Sequence, residues 1–125
     1  MSEARKTRIL VADDDQSIRQ LVCTILKREH YTADCVGDGV EAIEHLEKHD
    51  YAVVLLDLMM PHEGGITVIR HLQAKNPTSL ARVLVLTASA ESAIGPIRDA
   101  VAGVIQKPFE KRDLIDAVRQ IADRP

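Results

Sequence analysis

No stretch of this chain approaches the roughly 20 consecutive apolar residues of a membrane span, and its first residues, MSEARKTR, lack the apolar run of a signal peptide. The expected location is therefore the cytoplasm. Basic charge is not in surplus: 16 Lys and Arg against 19 Asp and Glu give a net charge of −3. Such a chain has no broad field for attracting nucleic acid or anionic lipid, and direct nucleic-acid binding is not expected. Cysteine is scarce. Cys23 falls in a helical pattern and Cys35 in a β pattern, with no Cys-x-x-Cys spacing or matching His, so both are expected to be buried, reduced thiols. The first β-rich run is not followed by the Gly- or Ser/Thr-rich loop with which a flavin- or nucleotide-binding sheet cradles phosphate. The five histidines, at positions 30, 45, 49, 62 and 71, have no metal-ligand spacing and no four-helix pattern around them, and are read as surface residues. Repeats, linkers and low-complexity tracts are also missing.

What is present is enough for one core. At 125 residues, 46% apolar and 28% charged, the chain reads as a single domain, residues 1–125, with 1–6 as a flexible tail. Short β-rich runs alternate with longer helical patterns: RILVA (8–12), ADCV (33–36), AVVLLD (52–57), RVLVLT (82–87) and GVIQ (103–106). Ile18, Leu21, Val22, Ile25 and Leu26 recur at the spacing of one helix face. Asp38 and Glu41 have capping-box spacing and open a second helix, expected to bury Val40, Ile43 and Leu46. Weaker helical patterns follow at 65–75 and 113–122, with another at 90–100 that Gly95-Pro96 interrupts. Strict alternation implies βαβ crossovers, and VVLL and VLVL are apolar on both faces, as strands covered by helices on both sides must be. The fold class is α/β, a three-layer sandwich around a five-stranded parallel sheet.

In open parallel sheets, ligands lie beyond the carboxyl ends of the strands. Asp13 and Asp14 end the first strand, Asp57 ends the third, Thr87 ends the fourth, and Lys107 follows the fifth. The run Asp13-Asp14-Asp15 alone could simply start a helix, because Asp is favoured at N-caps. A solvated acidic surface, however, has no reason to select strand ends. Like charges about 4 Å apart repel by roughly 4 kcal/mol at an effective dielectric near 20. Acids that converge on one rim therefore call for a cation.

The segments ILVADDD, LLDLMMP, LTAS and QKPF, in this order, resemble the receiver domain of bacterial two-component response regulators, the CheY-like family, over nearly the whole chain. The resemblance implies a doubly wound, flavodoxin-like sheet of order 2-1-3-4-5. It also implies a phosphoacceptor switch rather than a conventional enzyme, with self-phosphorylation and autodephosphorylation chemistry of its own. Asp57 would attack the phosphohistidine of a sensor histidine kinase or histidine phosphotransfer protein in a Mg²⁺-dependent reaction, with Mn²⁺ as an alternative ion. Asp14, Asp57 and the main-chain carbonyl of Met59 would hold the ion directly, and Asp13 through water. Asp15 would serve the start of the helix. Lys107 would pair with Asp57 and then contact a phosphoryl oxygen, and a cis Lys107–Pro108 bond would fix its turn. Thr87 would move to the phosphoryl group, and Phe109 would anchor the loop on the core. The signal would leave through contacts with a downstream protein.

Several positions depart from the family pattern or separate rival readings. An aspartate-nucleophile phosphatase would carry a second Asp two positions after the first, where this chain has Met59. Met59 and Ser89 offer no carboxylate or amide to position a hydrolytic water, so a long-lived phosphorylated state is expected. Val104 stands where the family usually has an aromatic ring, and Gly64 where it usually has an acid. With no ring to swing, the switch is expected within residues 87–99. No output domain follows the last helical pattern, which reads as a stand-alone regulator; the alternative is a receiver cut from a larger response regulator or hybrid kinase.

Overall fold

Strand and helix alternate as the patterning requires as far as the fourth strand. A computed structural model describes residues 7–60, 64–88, 95 and 97–124. The elements run β1 (Arg8–Ala12), α1 (Gln16–Arg28), β2 (Thr32–Val36), α2 (Gly39–Lys48), β3 (Val53–Asp57), α3 (Gly65–Lys75), a 3₁₀ turn (Pro77–Arg82), β4 (Val83–Thr87), β5 (Gly103–Gln106) and α4 (Lys111–Ala122). All strand pairs are parallel, and the sheet order is β2-β1-β3-β4-β5. The tail 1–6 and most of the pattern at 90–100 lie outside the described residues.

The period-2 alternation of strand side chains divides the core in two. Leu10, Ala12, Val54, Leu56, Val83 and Val85 face one side, packing with Ala42 of α2 and with Val68, Ile69 and Leu72 of α3. Ile9, Val11, Val53, Leu55, Leu84 and Leu86 face the other, against Val22, Ile25 and Leu26 of α1 and Leu114, Val118 and Ile121 of α4. Every residue of β3 and β4 is buried, whereas β2 and β5, at the sheet edges, are only partly covered.

Three packing expectations need correction. Leu21 is 50% exposed and Val40 44% exposed, although both keep helical spacing with buried neighbours. The apolar face of α1 is centred on Val22, Ile25 and Leu26, and α2 meets the sheet through Gly39 and Ala42 with Ile43 and Leu46 at the flanks. A helix face wide enough to include Leu21 or Val40 is wider than the strip of sheet that covers it. The third correction concerns the cysteines: Cys23 and Cys35 are joined by a disulfide, and Cys35 lies exposed on the edge strand. The 12-residue separation offers no local motif, and only the packing of α1 across β2 brings the two together.

The ends of α1 show why the chain turns where it does. Asp15 is the N-cap, its carboxylate accepting from the Ser17 and Ile18 N–H groups at 2.9 and 3.2 Å. Lys27 and Arg28 lie in the last turn, where cations complement the exposed carbonyls. His30 follows with φ 70°, a left-handed residue that reverses the chain into β2.

Candidate functional site

The strands deliver their last residues to a single rim. Asp57 ends β3 beside Leu86 of β4, and Thr87 pairs with Gln106 of β5, so three neighbouring strands finish together. Asp13 leaves β1 at the same level, its N–H donating to the Val36 carbonyl at the end of β2 at 3.1 Å. Asp13, Asp57 and Thr87 are the three buried polar or charged residues among those described.

Local hydrogen bonds fix the acids. Asp13 Oδ1 accepts from the Asp15 N–H at 2.9 Å, and Asp57 Oδ1 accepts from the Met59 N–H at 3.1 Å. Ligand-capable oxygens of Asp13, Asp14 and Asp57 all lie within 4.8 Å of one another, and Asp14 is the exposed member. The ammonium of Lys107 sits among them, 2.7 Å from Asp13 Oδ2 and 3.5 Å from Asp57 Oδ2. It was expected to pair with Asp57, and it does so, yet its shorter bond is to Asp13. The Lys107 N–H donates to the Thr87 carbonyl at 2.8 Å, and the Lys107–Pro108 peptide is cis, as the resemblance implied. Phe109 packs against the core on the α1 and α4 side.

Charge is not balanced at this rim. Burial is the largest influence on Asp57 and pushes its carboxyl up to about 6; the Asp13 charge acts in the same direction, while the Met59 N–H and Lys107 oppose them. Burial alone would lower the Lys107 ammonium, but its hydrogen bond and attraction to Asp13, followed by Asp57, hold it above the ordinary lysine value. Three hard carboxylate donors against one ammonium form a donor set suited to Mg²⁺, an oxygen-seeking ion bound through few carboxylates.

Two contributors were not legible as site residues. Arg19, one turn into α1, donates from Nη1 to the Asp13 carbonyl at 2.8 Å and so pins the acidic loop from behind. Its only sequence signal was a charge on the solvated side of an amphipathic helix. Gly65 opens α3 against the end of β3: a Cβ there would lie 2.5 Å from the Asp57 carbonyl oxygen and 2.7 Å from the Leu58 Cα. Both neighbours are backbone and cannot swing aside. Gly65→Ala is therefore expected to lower stability by about 2–3 kcal/mol, measured by urea unfolding at pH 7. An unchanged midpoint would show that α3 does not need this close approach.

The family model described as the response regulator receiver domain matches residues 9–119. This chain belongs to that family. The receiver domain is 37% identical over 127 residues to the transcriptional regulatory protein ResD of Bacillus subtilis, covering 99% of this chain and 51% of that protein. It is 31% identical over 117 residues to the DNA-binding response regulator MtrA of Mycobacterium tuberculosis, covering 94% of this chain and 51% of that one. The receiver domain thus spans about half the length of these curated relatives. Among solved structures, a Francisella response regulator receiver domain superposes with a TM-score of 0.83 at 30% identity, covering 94% and 98% of the two chains. The response regulator TrrA of Thermotoga maritima, solved in complex with Mg²⁺–BeF, gives a TM-score of 0.82 at 30% identity, covering 92% and 98%.

The receiver domain is thus a component of two-component signalling with a flavodoxin-like fold. The comparisons do not support the expectation of no nucleic-acid contact, because that reading rested on the charge of this chain and MtrA is named as DNA-binding. Among the described residues, no helix is long and apolar enough to cross a membrane. Of the residues singled out in the sequence, Asp13, Asp14, Asp57, Thr87 and Lys107 come together at the rim. Met59 stands beside them, 68% exposed at the mouth. Ser89 and His62 fall outside the described residues.

Proposed function

We propose that this receiver domain accepts a phosphoryl group on Asp57 from the phosphohistidine of a sensor histidine kinase or histidine phosphotransfer protein, and changes its protein contacts in consequence. The observation that carries this reading is the isolated strand-end carboxylate of Asp57, set within 4.8 Å of two further acids and 3.5 Å from the Lys107 ammonium.

The nucleophile must be ionised. With its carboxyl at about 6, Asp57 is mostly charged at pH 7, and any further cation at the rim increases that fraction. The Met59 N–H on Oδ1 and Lys107 near Oδ2 hold the carboxylate in one orientation. A carboxylate oxygen attacks phosphorus, the phosphorus–nitrogen bond breaks, and its electron pair returns to the imidazole of the donor. Asp14, Asp57 and the Met59 carbonyl would hold Mg²⁺, with Asp13 bound through water; Mn²⁺ fits the same donors. That ion supplies positive charge beside the phosphoryl oxygens. Lys107, anchored on Asp13, is placed to contact an oxygen of the transferred group as a point charge. Thr87, fully buried at the end of β4, is the group placed to report the transfer into the sheet.

This reading makes the protein a cytoplasmic phosphorylatable switch, not a turnover enzyme, within a single domain covering residues 1–125. A receiver belonging to a longer regulator is the second reading, favoured by the 51% coverage of ResD and MtrA. The test is phosphorylation by acetyl phosphate with Mg²⁺. Asp14→Ala, or excess EDTA, is expected to reduce the phosphorylated fraction at least about 100-fold, the scale of losing a principal charge-stabilising group. Undiminished phosphorylation in EDTA would overturn the metal-dependent reading.

A further inference from the structure

The phosphoacceptor reading makes no use of the two cysteines, yet they join the elements that flank the acidic loop. Cys23 lies on α1, 7% exposed, and Cys35 lies on the edge strand β2, opposite Val11 of β1 and open to solvent. Cys23 follows Arg19 by four residues, so both sit on one face of α1. Arg19 itself reaches the end of β2: a Cβ at Gly37 would lie 3.2 Å from its Nη1. Gly37 is two residues beyond Cys35. The disulfide and the Arg19 guanidinium therefore span the same gap, one helical turn apart, and the guanidinium is the group that holds the Asp13 carbonyl at 2.8 Å.

We propose that Cys23 and Cys35 form a reversible thiol–disulfide exchange site, with Cys35 as the sulfur attacked or attacking first and the disulfide of a small thiol as its oxidising substrate. Closing the site holds α1 on β2 beside the acidic loop. Exposure sets the order of events, since an exchange partner must reach the sulfur in line. The Cys35 thiolate attacks one sulfur of the small disulfide, forming a mixed disulfide and releasing one small thiol. The Cys23 thiolate then attacks the Cys35 sulfur, forming the internal disulfide and releasing the second small thiol. Two protein thiols are oxidised and one disulfide is reduced to two thiols. Opening runs in reverse, with an external thiolate attacking Cys35. In the cytoplasmic setting proposed above, thiol pools keep such pairs mostly open, so the closed form is a state the protein enters rather than a permanent staple. The inference goes beyond the phosphoacceptor reading and does not depend on it.

The test uses the whole chain, reduced and then exposed to oxidised glutathione, with intact mass and peptide mapping over time. Wild type is expected to pass through a glutathione adduct on Cys35 and end two hydrogens lighter, with the Cys23 and Cys35 peptides linked. Cys23→Ala is expected to stop at a lasting adduct on Cys35, and Cys35→Ser to remain essentially unmodified. A lasting adduct on wild type, or faster modification of Cys23 than of Cys35, would overturn the proposal. The mechanical consequence has its own readout: amide exchange over residues 13–19 is expected to be at least about threefold slower in the closed form, as local opening there becomes costlier. Identical exchange in the two forms would overturn the proposed hold on the loop.

Discussion

Asp57→Asn is expected to abolish phosphorylation and, at the same time, to make the protein more stable. The two effects share one cause. The carboxylate proposed here as the nucleophile is buried beside Asp13, and the fold holds its carboxyl at about 6 instead of 3.8. A folded-state value above the unfolded one means that ionised Asp57 weakens the fold. The loss begins as pH rises past the unfolded value and is complete above about 6. The full shift corresponds to at most about 3 kcal/mol. Lys107, which keeps some attraction to the ionised form, and solvent at the rim reduce the expected gain from Asn to about 1–2 kcal/mol. The gain is expected at pH 7 and should shrink to a small remainder at pH 4, where Asp57 is protonated in the folded state but still about half ionised in the unfolded chain. Urea unfolding at the two values checks it. An Asn variant less stable than wild type at pH 7 would mean that the acids are already balanced without an added cation.

Lys107→Met is expected to have the opposite effect on stability. The ammonium bridges Asp13, which is fully buried, and Asp57, and methionine keeps most of the side-chain volume while removing the charge. Leaving buried carboxylates without their partner costs about 3 kcal/mol at pH 7. Asp57, relieved of the Lys107 charge that opposes its protonation, then binds a proton more readily than in wild type, so the deficit should shrink as pH falls toward 5. Saturating Mg²⁺ should recover part of it, because an ion bound by Asp14 and Asp57 restores positive charge to the rim. Thermal unfolding of the variant with and without Mg²⁺ reads this directly. A variant as stable as wild type in the absence of the ion would show that the lysine is a surface residue after all. Phosphorylation of the variant should be slow even at saturating Mg²⁺, since on the proposed reading an ion held by Asp14 and Asp57 would not replace the Lys107 ammonium as a contact to the phosphoryl oxygen.

The site was legible because its chemistry sits at strand ends, and strand ends are the best-marked points of a doubly wound chain. VVLLD could be assigned without packing information: four apolar residues buried on both faces require a central strand, and its closing acid must emerge where the neighbouring strands also finish. Asp15 was likewise readable as a helix start, and it is the N-cap of α1. What was not legible depends on rotation and on contacts across the sheet. Periodicity locates an apolar stripe but not its width, so Leu21 and Val40 looked like core and are exposed. Arg19 looked like solvated charge, because nothing local shows that its guanidinium folds back onto the Asp13 carbonyl. Cys23 and Cys35 sit on a helix and an edge strand whose facing surfaces are set only by the βαβ crossover. The expected switch at residues 87–99 falls largely outside the described residues, and Val104, half-buried opposite Val85, confirms only that no ring occupies that position.

The most direct test is to locate the phosphoryl group itself. The wild-type chain is phosphorylated with acetyl phosphate and Mg²⁺, the acyl phosphate is trapped by borohydride reduction, and the modified residue is mapped by peptide mass. The expected result is a single modified position, Asp57, with Asp13 and Asp14 untouched. Label on Asp13, Asp14 or a histidine, or a product stable to borohydride, would contradict the assignment of Asp57 as the phosphoacceptor.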